Sequence, residues 1–182
     1  MVNSLTKWFA ALLAVLLLNI VPAWEGARRQ EDLSRLMIMQ TTVKFVDHVR
    51  TKGYVTPGMY NDFLQELSNS GGAMQVELEH EHKRYHPEYG DPADPGTFLQ
   101  SFAVVYDGYY NEEILGVLFP NQAMDLDAPE RTYKLTSGDR FSIQVYRSSS
   151  SPYGLLSNFI YGASSDAEPG YHYGGVVLNE DY

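Results

Sequence analysis

The sequence predicts an α+β fold, in which a long N-terminal helix and a shorter second helix pack on one antiparallel sheet of about four to five strands. Three observations predict it. Residues 25–67 carry apolar side chains at helical spacings, residues from 74 onward alternate between apolar and polar, and Gly- or Pro-rich segments separate the alternating stretches. Helices followed by strands, with one or two short helices between them, are typical of this fold class.

The first predicted helix runs from Glu25 to Arg50. Its apolar residues recur at spacings of three, four and six, as expected of a stripe that faces a core. Gly53 stands where a glycine would end the helix. The predicted stripe consists of Leu33, Leu36, Met37, Val43, Val46 and Val49.

A second, shorter helix is predicted from Thr56 through Leu67. Thr56 is suited to the N-cap position, and Pro57 follows at the first helical position, where its missing N–H costs nothing. The Asn-Ser-Gly-Gly segment at 69–72 is expected to end this helix. Its predicted apolar face consists of Tyr60, Phe63, Leu64 and Leu67.

The remaining residues predict strands joined by turns and short helices. A strand begins near Met74, and residues 131–147 predict a hairpin whose turn is the TSGD segment at 136–139. A short helix is predicted at 110–119, capped by Asn111 and stopped by Pro120. The other expected segments are a loop at 91–96, an extended stretch at 97–106, a polar loop at 147–154, a helical turn or short strand at 155–162, and a last strand within 171–182.

The N-terminus has the layout of an export signal. Lys7 precedes an apolar run of thirteen residues from Trp8 to Ile20, and the segment Val-Pro-Ala at 21–23 offers a cleavage point after Ala23. Residues 1–23 are therefore predicted to be a signal peptide or a membrane anchor, and residues 24–182 a single extracytoplasmic domain. An anchor would use residues 8–24, near the lower length limit for crossing about 30 Å of hydrocarbon, and its helix could continue into the first predicted helix.

Composition excludes several classes of function. The formal charge is −10, and the 13 basic residues form no cluster, so nucleic acid is not an expected partner. The chain contains no cysteine, which excludes disulfides, thiolate metal ligands and cysteine nucleophiles. Aromatic residues are frequent, with 14 Tyr and 8 Phe, as suits half-buried strands and contact surfaces.

The segment "VELEHEHKRYH", residues 76–86, concentrates histidines and glutamates. A period of two places Val76, Leu78, His80 and His82 on one face and the glutamates on the other, which predicts an amphipathic strand with an acidic face in solvent. His80 and His82 then project the same way, as a pair that could chelate zinc or another divalent ion, with His86 as a further ligand. The alternative is that the apolar face ends at these histidines for structural reasons.

Other candidates for catalysis have simpler explanations. No G-x-S-x-G motif supports a serine nucleophile, and residues 125–130 lack the glycine and final glutamate of a calcium-binding loop. Asp107, Glu112 and Glu113 could pair as glycosidase carboxylates, but acids are expected near a helix N-terminus. The apolar segment 154–162 is interpreted as core, although it could be a contact patch. Gly174 and Gly175 predict a bulge or a close backbone approach.

Three segments resemble a known family. "VRTKGYVT", "ELEHEHK" and the closing "YGG" and "NEDY" are similar to those of small exported proteins of Gram-positive bacteria encoded at Tad- or type IV-like pilus and secretion loci. The resemblance covers about residues 35–182 and implies a pilin-like or accessory subunit, with envelope, pilus or secretion proteins as partners. No Gly-Phe-type prepilin cleavage site precedes the apolar run, so the resemblance implies an accessory or minor component.

The sequence thus predicts a non-enzymatic, exported or membrane-anchored protein that acts by protein–protein contact at the cell surface. No catalytic residue and no cofactor are predicted. One alternative is a secreted metal-binding protein or metal-dependent hydrolase that uses His80 and His82. A second alternative is an extracellular ligand-binding module that uses exposed tyrosines.

Overall fold

The computed structural model describes residues 2–122, 124–148, 151–161 and 170–179. Its helices are α1 (Val2–Lys52), α2 (Pro57–Gly71), α3 (Asn111–Leu118) and α4 (Pro152–Tyr161). Its strands are β1 (Tyr54–Val55), β2 (Met74–Tyr89), β3 (Phe98–Tyr110), β4 (Tyr133–Lys134), β5 (Arg140–Arg147) and β6 (Tyr171–Val176). The parts of the predicted segments that fall on residues 149–150, 162 and 180–182 lie outside the described residues.

The fold class is confirmed as α+β, with one difference in the sheets. A four-stranded antiparallel sheet has the order β3-β2-β5-β6, and a separate two-stranded sheet pairs β1 with β4. Helix α1 packs along the larger sheet, with contacts to β5 and β6, and α2 packs beside α1. The prediction of one sheet was therefore incomplete, because β1, just before α2, pairs with the distant strand β4 in a small second sheet.

Helix α1 is one continuous helix of 51 residues, about 75 Å long at 1.5 Å per residue. It contains the apolar N-terminal run and the first predicted helix as a single rod. Pro22 lies inside it, although proline cannot donate a helical hydrogen bond. Gly53 ends the helix as predicted, since its φ of 74° lies in the left-handed region and its N–H donates to the Val49 carbonyl.

The predicted stripe of the first helix is half wrong. Val46 and Val49 are fully buried, as expected, but Leu33, Leu36 and Met37 are exposed. Ile38, which was not in the predicted stripe, is 1% exposed. At about 100° per residue, Leu33 and Leu36 lie more than about 130° around the helix from Ile38. The described residues from Trp24 onward form what we call the head. Its strands and shorter helices pack on the face of α1 that contains Ile38, so the other apolar residues are left outside.

The predicted hairpin at 131–147 is also wrong. The TSGD turn forms, with the Asp139 N–H donating to the Thr136 carbonyl and Gly138 at a φ of 94°. The chain before the turn, however, is β4, which pairs with β1, whereas β5 after the turn pairs with β2 and β6. The turn therefore passes the chain from one sheet to the other instead of joining two paired strands.

The short helix α3 begins at the predicted place but is capped differently. Tyr110 is the N-cap residue, and the Glu113 carboxylate accepts a hydrogen bond from the Tyr110 N–H. The Asn111 side chain instead bonds to strand β2, accepting from the Leu78 N–H and donating to the Val76 carbonyl. Asn111 thus attaches α3 to the sheet, a long-range role that local sequence cannot indicate.

The core lies between α1, α2, α3 and the inner face of the larger sheet. Phe141, Ile143 and Val145 alternate along β5 with half-buried residues and are fully buried, as predicted. Strand β6 crosses α1 closely at Gly175, where a Cβ atom would lie 2.6 Å from Arg50 Cζ, and it approaches β5 at Gly174. The close backbone approach predicted for this glycine pair is confirmed.

Candidate functional site

Strand β2 has the predicted two faces. Leu78 and His80 are buried on the inner face, and His82 beside them is partly buried. Glu79 and Glu81 lie on the opposite face, where they accept hydrogen bonds from Ser142 Oγ at 3.2 Å and Arg140 Nη1 at 3.3 Å. Because these glutamates point away from the histidines, neither can serve as a general base at them.

The two histidines converge on a carboxylate that the sequence analysis did not connect to them. His80 Nε2 lies 3.0 Å from Asp139 Oδ2, and His82 Nδ1 lies 3.0 Å from Asp139 Oδ1. One potential ligand atom from each of the three residues lies within 4.8 Å of the others. Asp139, which is 1% exposed, belongs to the TSGD turn just before β5. We name His80, His82 and Asp139 the His-Asp cluster.

The Asp139 carboxylate is fixed by the backbone as well as by the histidines. The Thr136 N–H donates to Oδ2 at 2.7 Å, and the Lys83 N–H donates to Oδ1 at 3.0 Å. Burial alone would raise the pKa of Asp139, but these bonds and those from the two histidines outweigh it and lower the pKa. Asp139 is therefore an ionised carboxylate inside the protein.

The buried His80 ring is uncharged, in contrast to the Asp139 carboxylate. Burial lowers its pKa, against the opposing effect of Asp139, so the ring is neutral at neutral pH. Since the ionised carboxylate only accepts, Nε2 carries the hydrogen, and Nδ1 accepts from the Tyr133 hydroxyl at 2.7 Å. Burial raises the pKa of Tyr133, which keeps its hydroxyl protonated for this bond. Tyr133, His80, Asp139 and His82 form one hydrogen-bonded chain.

The inner face of β2 changes from apolar residues to histidines at the His-Asp cluster, and the pairing of the strands explains this change. Strand β2 pairs with β5 only as far as Glu81, opposite Arg140, and beyond that point it pairs with β3 alone as far as Tyr89. The histidines therefore stand at the end of the four-stranded part of the sheet, although not at the end of the strand. His86 lies farther along the two-stranded part, exposed and outside the cluster.

The N-terminal part of α1 is a second candidate site. Residues 4–23 are exposed along their whole length, and Trp24 is the first residue that is partly buried. The Trp24 ring meets the Tyr153 ring of α4 edge to face, with centroids 5.2 Å apart. By length and composition this part of α1 is sufficient to cross a membrane, a property that signal sequences share.

The exposed apolar residues of α1 continue past Trp24 into the part of the helix that the head covers. Leu33, Leu36, Met37 and Met39 are each more than half exposed. Leu33 and Met37 line a groove of about 490 Å³ that also includes Ser34, Ser68 and Arg147. We name Leu33, Leu36 and Met37 the outer stripe of α1.

The two-stranded part of the sheet carries further exposed apolar side chains. Tyr89, Phe98 and Phe102 form a chain of aromatic contacts with centroid distances of 5.7 and 5.4 Å. Phe102 and Tyr85 are more than half exposed. Because β3 is also the edge strand of its sheet, this surface offers both apolar side chains and unpaired backbone to a partner.

The other residues considered as catalytic have structural partners or lie exposed at the start of a helix. Asp107 accepts from Arg84 Nε at 2.8 Å, Glu113 bonds to the N-cap of α3, and Glu112 is exposed in the first turn of that helix. Residues 125–130 lead into the 3₁₀ turn Pro129–Arg131, and the Asp125 carbonyl accepts from the Arg131 guanidinium.

The segment 154–162, interpreted as core, lies largely in α4. In this helix Tyr153 packs on Trp24, whereas Leu155 is exposed.

Comparisons with known proteins leave the chain without an assigned family. No family model, no curated protein and no solved structure matches it.

Proposed function

We propose that this is a non-enzymatic, membrane-anchored protein whose head works outside the cytoplasm by contact with other proteins of a cell-surface assembly. The observation that carries the proposal is the division of α1. Residues 4–23 are mostly apolar and are exposed, while the C-terminal part of the same helix forms the centre of the head. A rigid helix that continues from a membrane segment into a folded head fixes the distance and direction of the head from the membrane.

The outer stripe supports a contact function. An exposed apolar surface on a soluble head is disfavoured unless a partner or a membrane covers it. The outer stripe lies on the same helix as the apolar segment and follows it within ten residues of Ala23. A partner that also enters the membrane could therefore contact the apolar segment and the outer stripe along one continuous helix face.

The pilin-like resemblance fits this arrangement as a proposal. A subunit with a projecting apolar helix and a compact head can associate with other subunits through the helices while presenting its heads outward. Because no Gly-Phe-type prepilin site precedes the apolar run, we propose an accessory or minor component of a pilus or secretion apparatus. Its expected partners are other envelope, pilus or secretion proteins, and residues 8–24 provide the membrane contact.

Site-specific photocrosslinking in intact envelopes tests the proposal. A photoreactive amino acid replaces Leu36 in the outer stripe, and a matched variant carries it at Asn61, an exposed position on α2. We expect Leu36 to give discrete crosslinked products, either with a second copy or with another envelope protein, identified by mass spectrometry. Asn61 should give none of the same products.

Two outcomes would overturn the contact function. One is the absence of any crosslinked product at Leu36 when the protein is present at its native level. The other is the same product pattern at Leu36 and Asn61, which would show random collision instead of a defined contact surface.

A further inference from the structure

We propose that the His-Asp cluster is a binding site for a divalent transition-metal ion, and that Zn²⁺ is the ion its donors suit best. Two imidazoles and one carboxylate are a usual set of three protein ligands for zinc, with a fourth position left for water. The site is independent of the proposed contact function, because it lies on the inner face of β2 and not on the outer stripe of α1.

The positions of the donor atoms carry the proposal. His80 and His82 are two residues apart on one strand, so their rings project from the same face. Both rings direct a nitrogen at the same carboxylate, at 3.0 Å in each case. Neighbouring ligands of a tetrahedral zinc ion with bonds of about 2.0–2.2 Å lie roughly 3.3–3.6 Å apart. Small side-chain movements would therefore convert these contacts into a coordination sphere.

The charge at the cluster is a second, independent argument. Asp139 is 1% exposed, and among the described residues no lysine or arginine side chain bonds to its carboxylate. Its side-chain partners are the two histidines, His80 and His82. A buried charge is costly unless a counter-charge balances it. A divalent cation between the carboxylate and the two rings would supply that balance.

The surroundings of the cluster match those of metal sites. The Tyr133 hydroxyl contacts the second ring nitrogen of His80, the position where metal-binding histidines keep a hydrogen-bond partner. Two backbone N–H groups hold the Asp139 carboxylate in place. The His82 side chain is 32% exposed, so water and ions reach the cluster from its side.

Binding requires a change of hydrogen position at both histidines. At His80, the hydrogen leaves Nε2, so that this nitrogen can donate its lone pair to the metal, and Nδ1 takes up a hydrogen that it donates to the Tyr133 oxygen. At His82, the hydrogen that Nδ1 donates to the carboxylate likewise leaves, so that Nδ1 supplies the lone pair, and Nε2 carries a hydrogen in its place. A neutral ring keeps its total number of hydrogens in this exchange.

The test uses the full-length chain without a histidine tag, purified in detergent and stripped of metal. Titration with Zn²⁺ should show saturation at about one ion per chain. Co²⁺ in its place should give the intense visible absorption of tetrahedral coordination. His82→Ala should weaken binding at least tenfold and remove the tetrahedral cobalt spectrum. Tyr133→Phe should weaken binding by roughly 10-fold while the site still forms.

His86→Ala is the matched control, because His86 lies farther along the same strand and outside the cluster. It should bind zinc as the unchanged chain does. The proposal is overturned if the chain takes up no stoichiometric zinc, or if His86→Ala weakens binding as much as His82→Ala. It is also overturned if cobalt stays octahedral in the unchanged chain. His82→Ala removes a partly exposed side chain, and its thermal unfolding without metal verifies that the variant is folded.

Discussion

The two parts of α1 on either side of Trp24 are both rich in apolar residues, but the protein uses them differently. Before Trp24 the apolar side chains lie all around the helix and all are exposed from residue 4 onward. After it, one face packs into the head through Ile38, Val46 and Val49, and polar residues occupy much of the rest. The difference teaches that the angular distribution of apolar residues, and not their number, decides whether a helix segment packs into a core or stays exposed.

The outer stripe is the exception to this division. Leu33, Leu36 and Met37 are apolar residues on the part of α1 that the head covers, yet they lie on the side that the head leaves open. They resemble the residues before Trp24 in their exposure and the core residues in their position along the chain. This intermediate character is why we propose that they form a contact surface.

The largest expected effect is a difference in stability between substitutions of Ile38 and Leu36, which lie on opposite sides of α1. Ile38→Ala removes a side chain that is 1% exposed, and it should lower the free energy of unfolding by about 2–5 kcal/mol. Leu36→Ala removes one that is 63% exposed and should change it by less than about 0.5 kcal/mol. Urea unfolding of the full-length chain in detergent measures both. Equal losses for the two variants would show that the head covers the outer stripe.

A charge in the apolar segment should affect membrane association and leave the head intact. Leu16→Lys places a lysine near the middle of the segment, at a cost of about 2.5–3.5 kcal/mol for insertion. The variant should therefore be extracted from membranes by alkaline carbonate more readily than the unchanged chain. Leu36→Lys is the control and should remain in the membrane pellet. Equal extraction of the two variants would contradict the division of α1 at Trp24.

A smaller loss of stability is expected from a substitution of Glu31, where the head begins to cover α1. Glu31 is buried and accepts a hydrogen bond from Arg147 at 2.6 Å. Burial would raise the pKa of Glu31, but the hydrogen bonds from Ser151, Arg147 and Arg35 outweigh it, so the pKa lies below its ordinary value of 4.5. Glu31→Gln should lower the free energy of unfolding at neutral pH by about 1–3 kcal/mol.

The pH dependence of this effect has a defined sign. Because the folded pKa is lower than the unfolded one, the contribution of Glu31 is fully present above about pH 4.5 and is lost as the pH falls through the folded pKa. The stability difference between the unchanged chain and Glu31→Gln should therefore shrink as the solution is acidified. A difference that stayed constant or grew on acidification would show that Glu31 is not stabilised in its ionised form.

Local signals in the sequence predicted much of the fold. The end of α1 at Gly53 was predicted from its glycine, and the start of α2 was predicted from Thr56, whose hydroxyl accepts from the Met59 N–H at 3.3 Å. The alternation of β2 and β5 was predicted from a period of two. These features depend on neighbours in the chain, so composition and spacing are sufficient to find them.

The errors and omissions all concern contacts between distant segments. The partner of β4, the role of Asn111 and the buried face of α1 depend on residues far away in the sequence. The same is true of the His-Asp cluster, because Asp139 is 57 residues from His82. The one local signal for Asp139 was its place in the TSGD turn, which predicted a bend in the chain and not an ionised carboxylate beneath two histidines.

The most direct test of the account uses the absence of cysteine from the chain, since each introduced cysteine is then unique. Leu16→Cys, Asn61→Cys and Ile38→Cys place one on the apolar segment, the exposed surface of α2 and the core face of α1. A membrane-impermeant maleimide is added to intact cells. We predict that position 61 alone is labelled in intact cells, that position 16 is labelled only after detergent is added, and that position 38 is labelled only after denaturation. Labelling at 16 in intact cells, or a mature chain that lacks residue 16, would contradict a head held outside the cytoplasm by α1.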